Sequence, residues 1–195
     1  MKKGTLVLAA LALIFAASCK SDKKETKATE TTTSPTPVAE EVASAPKKVK
    51  IALEAKSESN VTGNAVFTEE NGTVTMVAIL GGLEPGMHAI HLHEKADCSS
   101  PDGKSTGGHW NPTGQPHGKW GDAAGYHKGD IGNFNADDNG NGTITFSTDE
   151  WCIGCGDANK DILGKGVIVH QGTDDFKTQP TGDAGGRVSC GGIIQ

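Results

Sequence analysis

The chain has 195 residues and a formal net charge of −6. From residue 51 onward nine lysines and arginines face nineteen aspartates and glutamates, a balance that argues against nucleic acid as a partner. The 145 residues beyond position 50 suffice for one domain with a real core and are too few for two comfortable ones.

The N-terminus reads as an export signal. Lys2 and Lys3 form a basic start, and Leu6 to Ala17 is an apolar stretch too short to span a bilayer comfortably. Ala16, Ala17 and Ser18 lead into Cys19, an ending that resembles a bacterial lipobox. Residues 1–18 are therefore expected to be a lipoprotein signal peptide and Cys19 the lipidated first residue of the mature chain. An ordinary secretory signal cleaved nearby is the alternative, and either one takes the chain out of the cytoplasm. Residues 20–50 hold no aromatic residue and are dominated by Lys, Glu, Thr, Ala, Ser and Pro, too little apolar surface to offset ordering entropy. Residues 19–48 are expected to tether a globular domain, 49–195, to the membrane. The expected location is the bacterial cell envelope, facing the periplasm or the cell surface.

Strand signals then recur at short intervals. Val49, Ile51 and Leu53 alternate with polar or small residues. Val61 to Glu70 and Thr73 to Leu80 flank Asn71-Gly72, the strongest short-range hairpin signal. Met87 to Glu94, Ile131 to Asn135, Thr143 to Ser147, Val167 to His170 and Arg187 to Ile194 complete the set. No segment has convincing helical periodicity, and 27 glycines punctuate the chain. About eight short antiparallel strands imply an all-β sandwich or barrel. Residues 95–130 and 171–186 resist assignment, and structureless loops of that length are usually functional.

Four cysteines besides Cys19 make an even number in an oxidising compartment. They allow three pairings, of which Cys98–Cys190 plus the C-x2-C pair Cys152–Cys155 is preferred.

The histidines carry the chemistry. His91 and His93 sit at i and i+2 of one strand, so both project from one face. His109, His117, His127 and Asp130 follow in the first long loop, and His170 closes an apolar strand. Neutral imidazole is the commonest metal ligand and suits copper and zinc alike. Six histidines and one aspartate are too many for one tetrahedral ion and about right for two ions sharing a ligand. Three nitrogens and one oxygen in the loop match a closed zinc site.

These residues lie in motifs that resemble those of copper/zinc superoxide dismutases. The motifs are Gly86-Met87-His88-Ala89-Ile90-His91-Leu92-His93-Glu94, Gly108-His109-Trp110-Asn111-Pro112, Gly166-Val167-Ile168-Val169-His170 and Gly185-Gly186-Arg187-Val188-Ser189-Cys190-Gly191. The resemblance implies an eight-stranded antiparallel Greek-key β-barrel with two long functional loops. It implies copper bound by His91, His93, His109 and His170, and zinc bound by His109, His117, His127 and Asp130, with His109 bridging. Arg187 matches the arginine that guides superoxide, Asp174 the carboxylate linking a copper and a zinc ligand, and Thr181 the rim of the substrate channel. Cys98–Cys190 matches the family disulfide.

The activity so implied converts superoxide to oxygen and hydrogen peroxide by copper redox cycling, with His109 releasing copper on reduction and delivering a proton. With only Lys177 in loop 171–186, attraction of the anion is expected to rest on Arg187 and copper. A copper- and zinc-storing envelope lipoprotein is the alternative function, and both a monomer and a homodimer are open. Ala89-Ile90 and Trp110 depart from the usual Gly-Phe and Phe, so local repacking is expected. The spacing from Cys98 to His109 is longer than usual, leaving subloop 99–107 open. Cys152–Cys155 is an addition to the family pattern, read as a small structural disulfide, with copper loading or redox as the alternatives.

Overall fold

The computed structural model describes residues 45–195. The expected signal peptide, Cys19 and most of the tether lie outside the described residues. Eight strands run in chain order: β1 (Lys47–Ala55), β2 (Thr62–Glu70), β3 (Thr73–Gly81), β4 (Gly86–His93), β5 (Gly132–Ala136), β6 (Gly142–Thr148), β7 (Gly166–His170) and β8 (Arg187–Gly192). Lys47 and Lys48 belong to β1, so the folded domain begins two residues before the expected boundary.

All neighbouring strands pair antiparallel, and the order β1-β2-β3-β6-β5-β4-β7-β8 closes through β1 and β8 into a barrel. The sequence accounts for the local geometry. The alternation of β1 buries Val49, Ile51 and Leu53 and leaves Lys50 and Ala52 between them outside. Asn71 and Gly72 both adopt positive φ, 50° and 76°, as the hairpin between β2 and β3 requires. Phe67, Met76, Ile90, Leu92 and Val167 fill the barrel interior without solvent exposure. Ala89 and Ile90, the two departures before the first motif histidine, are likewise fully buried, and Trp110 packs into the same core.

Three long connections leave this platform. Two match the stretches expected at 95–130 and 171–186: 94–131 between β4 and β5, and 171–186 between β7 and β8. The third, 149–165 between β6 and β7, carries Cys152 and Cys155. Its Trp151 packs among Phe67, Trp120 and Phe146. Residues 99–107, open from sequence, form a tight turn with one 3-10 turn, Lys104–Thr106, the only helix among the described residues.

Candidate metal centre

β4 is buried on both faces, which is unusual for a strand of a small antiparallel barrel. Ile90 and Leu92 face the interior, while His91 and His93 face outward beneath the two long loops. The 94–131 loop is knitted to that outer face through its backbone. Trp110 N–H donates to the Leu92 carbonyl at 2.8 Å, Leu92 N–H to Gly129 at 2.9 Å, and Gly129 N–H to Trp110 at 3.0 Å. These bonds bring His109 beside His93, with which it forms an isolated bridge. His170 arrives from β7, where the register to β8 shifts between Val169 and His170 and sets His170 opposite Arg187.

The result is two clusters of buried side chains that share one member. His91, His93, His109 and His170 form the first, and His109, His117, His127 and Asp130 the second; within each, the ligand atoms lie within 4.8 Å of one another. Each histidine offers one nitrogen to its cluster while its environment occupies or faces the other. His93 Nδ1 contacts the Gly107 carbonyl at 3.0 Å, His170 Nδ1 the Gly185 carbonyl at 3.4 Å, and His91 Nε2 the Asp174 carboxylate at 2.8 Å. This leaves His91 Nδ1, His93 Nε2, His109 Nε2, His117 Nδ1, His127 Nδ1 and His170 Nε2 buried without a hydrogen-bond partner. Six orphaned nitrogens converging in two groups would be costly in a protein that binds nothing there.

The second cluster turns on Asp130. His109 Nδ1 hydrogen-bonds Asp130 Oδ1 at 2.8 Å. His117 Nδ1 and His127 Nδ1 approach the same carboxylate to 3.0 and 3.2 Å but lack hydrogen-bond alignment, so their lone pairs point past it. Three imidazole nitrogens and one carboxylate oxygen around a common point fit a four-coordinate zinc ion. An all-imidazole set of four fits copper. The donor sets therefore suit both ions.

Electrostatics keeps the first cluster ready for a cation. Burial holds His91 below the usual imidazole range and His93 and His170 well below it, and brings His109 down to about 4. Burial pushes His117 the same way, but the nearby Asp130 carboxylate and the hydrogen-bonded Asp174 carboxylate outweigh it and raise His117 to about 9. Burial would raise the Asp174 carboxyl, but hydrogen bonds from His117 and His91 carry it well below the carboxylate range.

Asp174 joins the clusters, since its Oδ2 meets His91 and its Oδ1 meets His117 Nε2 at 2.9 Å. Asn133 on β5 fixes its backbone through two reciprocal hydrogen bonds of 2.8 Å. Gly182 is required here, because its φ is +68° and a Cβ would run into the Asp174 carboxylate and lie 2.6 Å from His117 Nε2.

Above the first cluster opens a pocket of about 320 Å³ lined by His93, His170, Thr181, Arg187, Asp102 and Lys104, among others. Arg187 is anchored by donating from one guanidinium nitrogen to the Gly103 carbonyl at 2.9 Å and to Thr106 Oγ1 at 3.0 Å. Ser57 Oγ donates to the Arg187 carbonyl at 2.9 Å. The structure thus brings together every sequence-predicted member of the site. It adds Thr106, Gly103, Ser57 and Lys104, which no motif announced, because their roles follow from how subloop 99–107 folds against β8. Cys98 and Cys190 are bonded, tying that subloop to β8, and Cys152 and Cys155 are bonded to each other. His88 contacts two backbone carbonyls, of His170 and Glu84, and takes no part in either cluster.

Fold and site together define a β-barrel protein with two clusters of potential metal ligands that share His109. The model of the copper/zinc superoxide dismutase family matches residues 61–193, and the chain belongs to that family of oxidoreductases. It is 36% identical over 140 residues to "Superoxide dismutase [Cu-Zn] 2" of Aquifex aeolicus (strain VF5), covering 70% of this chain and 81% of that protein. A double mutant of a SOD-like protein from Bacillus subtilis superimposes with a TM-score of 0.67 at 28% identity, over 75% of this chain and 97% of that one. The clock protein EA4 superimposes with a TM-score of 0.65 at 35% identity, over 77% and 97% of the two chains.

Proposed function

We propose that the chain converts superoxide to oxygen and hydrogen peroxide, with copper held by His91, His93, His109 and His170 and zinc held by His109, His117, His127 and Asp130. The observation that carries this is the placement of Arg187 over the all-histidine cluster. A storage site needs ligands only, whereas an anchored guanidinium beside an open metal pocket serves an anion. When bound, copper supplies the one-electron redox chemistry of both half-reactions, and zinc fixes the orientation of His109.

The protein's own groups do the rest. Arg187, with Lys104 at the rim, supplies local positive charge on a domain that is otherwise strongly negative. Thr181 lines the same pocket. His109 leaves Nε2 free toward the first cluster and turns Nδ1 to Asp130 of the second, so Nε2 is the atom that would hold and release a proton. Asp174, spanning His91 and His117, holds one ligand of each cluster in its tautomer.

A dismutation assay on copper- and zinc-loaded protein beside His109→Ala tests the assignment. Turnover in the parent that collapses in the variant is expected; full metal occupancy without turnover in the parent returns the protein to the storage reading.

The chain is further proposed to act in the cell envelope, held by a lipid on Cys19. Its leader and two disulfides support this, since disulfides persist outside the cytoplasm. Incorporation of labelled fatty acid by the parent and not by Cys19→Ser is the expected result.

A further inference from the structure

The 149–165 connection holds a third group of side chains of metal-ligating type, Cys152, Cys155 and Asp161, whose ligand atoms lie within 4.8 Å of one another and outside both histidine clusters. Cys152 and Cys155 are joined, and their bond closes a separation of only 3 residues, against 92 for Cys98–Cys190. Cys155 is exposed, whereas Cys190 is buried. An exposed disulfide that closes a short loop is the more accessible to thiol exchange.

The loop does not depend on the sulfurs for its shape. Asp161 Oδ1 accepts from the Gly154 and Leu163 amides at 2.9 and 3.0 Å, and its Oδ2 from the Gly156 amide at 2.8 Å. Cys152 N–H donates to the Lys160 carbonyl at 2.8 Å, and the Cys152 carbonyl accepts from Ile162 at 3.1 Å. Ile153 and Ile162 are fully buried, and Glu69 and Lys47 grip both backbone groups of Ile153 at 2.8 Å. Opening the S–S bond therefore leaves both cysteines beside each other on an ordered turn.

We propose that the dithiol form of Cys152 and Cys155 is a binding site for monovalent copper. Reduction is by a dithiol. One of its thiolates attacks the exposed Cys155 sulfur, the bond to Cys152 breaks, and Cys152 leaves as a thiolate that takes up a proton. The second thiolate of the reductant then displaces Cys155 and closes the reductant's own disulfide, so two electrons pass to the protein. Both cysteines lose their protons when the ion binds. Thiolates are soft ligands that select monovalent copper. Asp161 is committed to three amides, which leaves two sulfurs as donors, short of the four that a structural zinc site takes.

The test uses the full chain with both central sites loaded, passed over an immobilised dithiol and titrated without oxygen with monovalent copper held by bicinchoninate. Treated protein is expected to withdraw one more copper ion per chain than untreated protein, while Cys152→Ser/Cys155→Ser gains nothing from treatment. Peptide mass mapping is expected to show Cys98–Cys190 still bonded. Equal uptake by treated parent and double variant overturns the proposal, as does a Cys152–Cys155 bond that outlasts Cys98–Cys190. Neither outcome depends on whether the central sites dismutate superoxide.

Discussion

The Arg187 guanidinium donates to the hydroxyl of Thr106 at 3.0 Å, and that hydroxyl in turn donates to the Gly103 carbonyl at 2.9 Å. Thr106 is fully buried, so the hydroxyl has no water to replace a lost partner. Thr106→Val keeps the volume and removes this support. A hydrogen bond to a charged group contributes roughly 1.5–3 kcal/mol, so dismutation by the loaded enzyme is expected to fall by about ten- to a hundredfold. Thr106→Ser restores it. Unchanged azide affinity of the loaded Thr106→Val protein would show that Arg187 is held without Thr106.

The rim lysine pairs with a rim aspartate, as Lys104 Nζ lies 3.0 Å from Asp102 Oδ2. Both are solvent-exposed, so their effect is on encounter rate and is screened by salt. Lys104→Gln is expected to slow dismutation at low ionic strength and flatten its salt dependence. Asp102→Asn is expected to do the reverse. Stopped-flow rates across a salt series read both, and parallel slopes for all three proteins refute the steering role. Arg187 and copper alone, the expectation from loop 171–186, then suffice.

Removing Asp174 frees one ligand of each cluster at once. Loss of such an outer partner typically costs about 10–100-fold in metal affinity. Asp174→Ala is expected to weaken zinc by that factor in a chelator competition. Gly182→Ala is expected to reproduce part of the defect, because its methyl displaces the same carboxylate. Wild-type zinc affinity in Gly182→Ala argues that the 171–186 loop adjusts freely.

The metal-free protein has a pH dependence set by its buried imidazoles. Burial lowers His91, His93 and His170 from 6.5 and brings His109 to about 4. Their unfolded forms take up protons near 6.5, so their contribution is complete above that pH and is lost as pH falls toward about 4. His117 is raised to about 9 and runs oppositely, its contribution complete below 6.5 and lost as pH rises through about 9. Four groups outweigh one. The urea midpoint of metal-free protein is expected to drop between about pH 7 and about pH 5. A level midpoint contradicts the burial argument.

The two disulfides are predicted to contribute unequally. Chain entropy assigns roughly 4–5 kcal/mol to a loop the size of Cys98–Cys190 and about 2 kcal/mol to that of Cys152–Cys155. Urea unfolding of metal-free Cys190→Ser and Cys152→Ser/Cys155→Ser proteins is expected to rank them in that order.

Strand positions were legible in the sequence because alternation and turn residues act locally. Val49, Ile51 and Leu53 declare one buried face, and Asn71-Gly72 declares its turn by positive φ. The two clusters were legible too, since four of their six histidines stand in family motifs and the other two follow with Asp130 in the same loop. The anchoring of Arg187 was not. Thr106 and Gly103 meet Arg187 across about 80 residues of chain, and nothing in their spacing marks them. The 149–165 connection was equally silent, because Asp161 reads as one more surface acid until three amides are found around it.

What the sequence by itself determined is therefore the barrel, the two ligand clusters and the cysteine inventory, all of which rest on residue type and local period. Tertiary structure alone decided which nitrogen of each histidine is free, which hydroxyl holds the arginine, and where the rim charges stand. Those depend on hydrogen bonds between loops distant in the chain, whose geometry only the closed barrel brings within 3 Å.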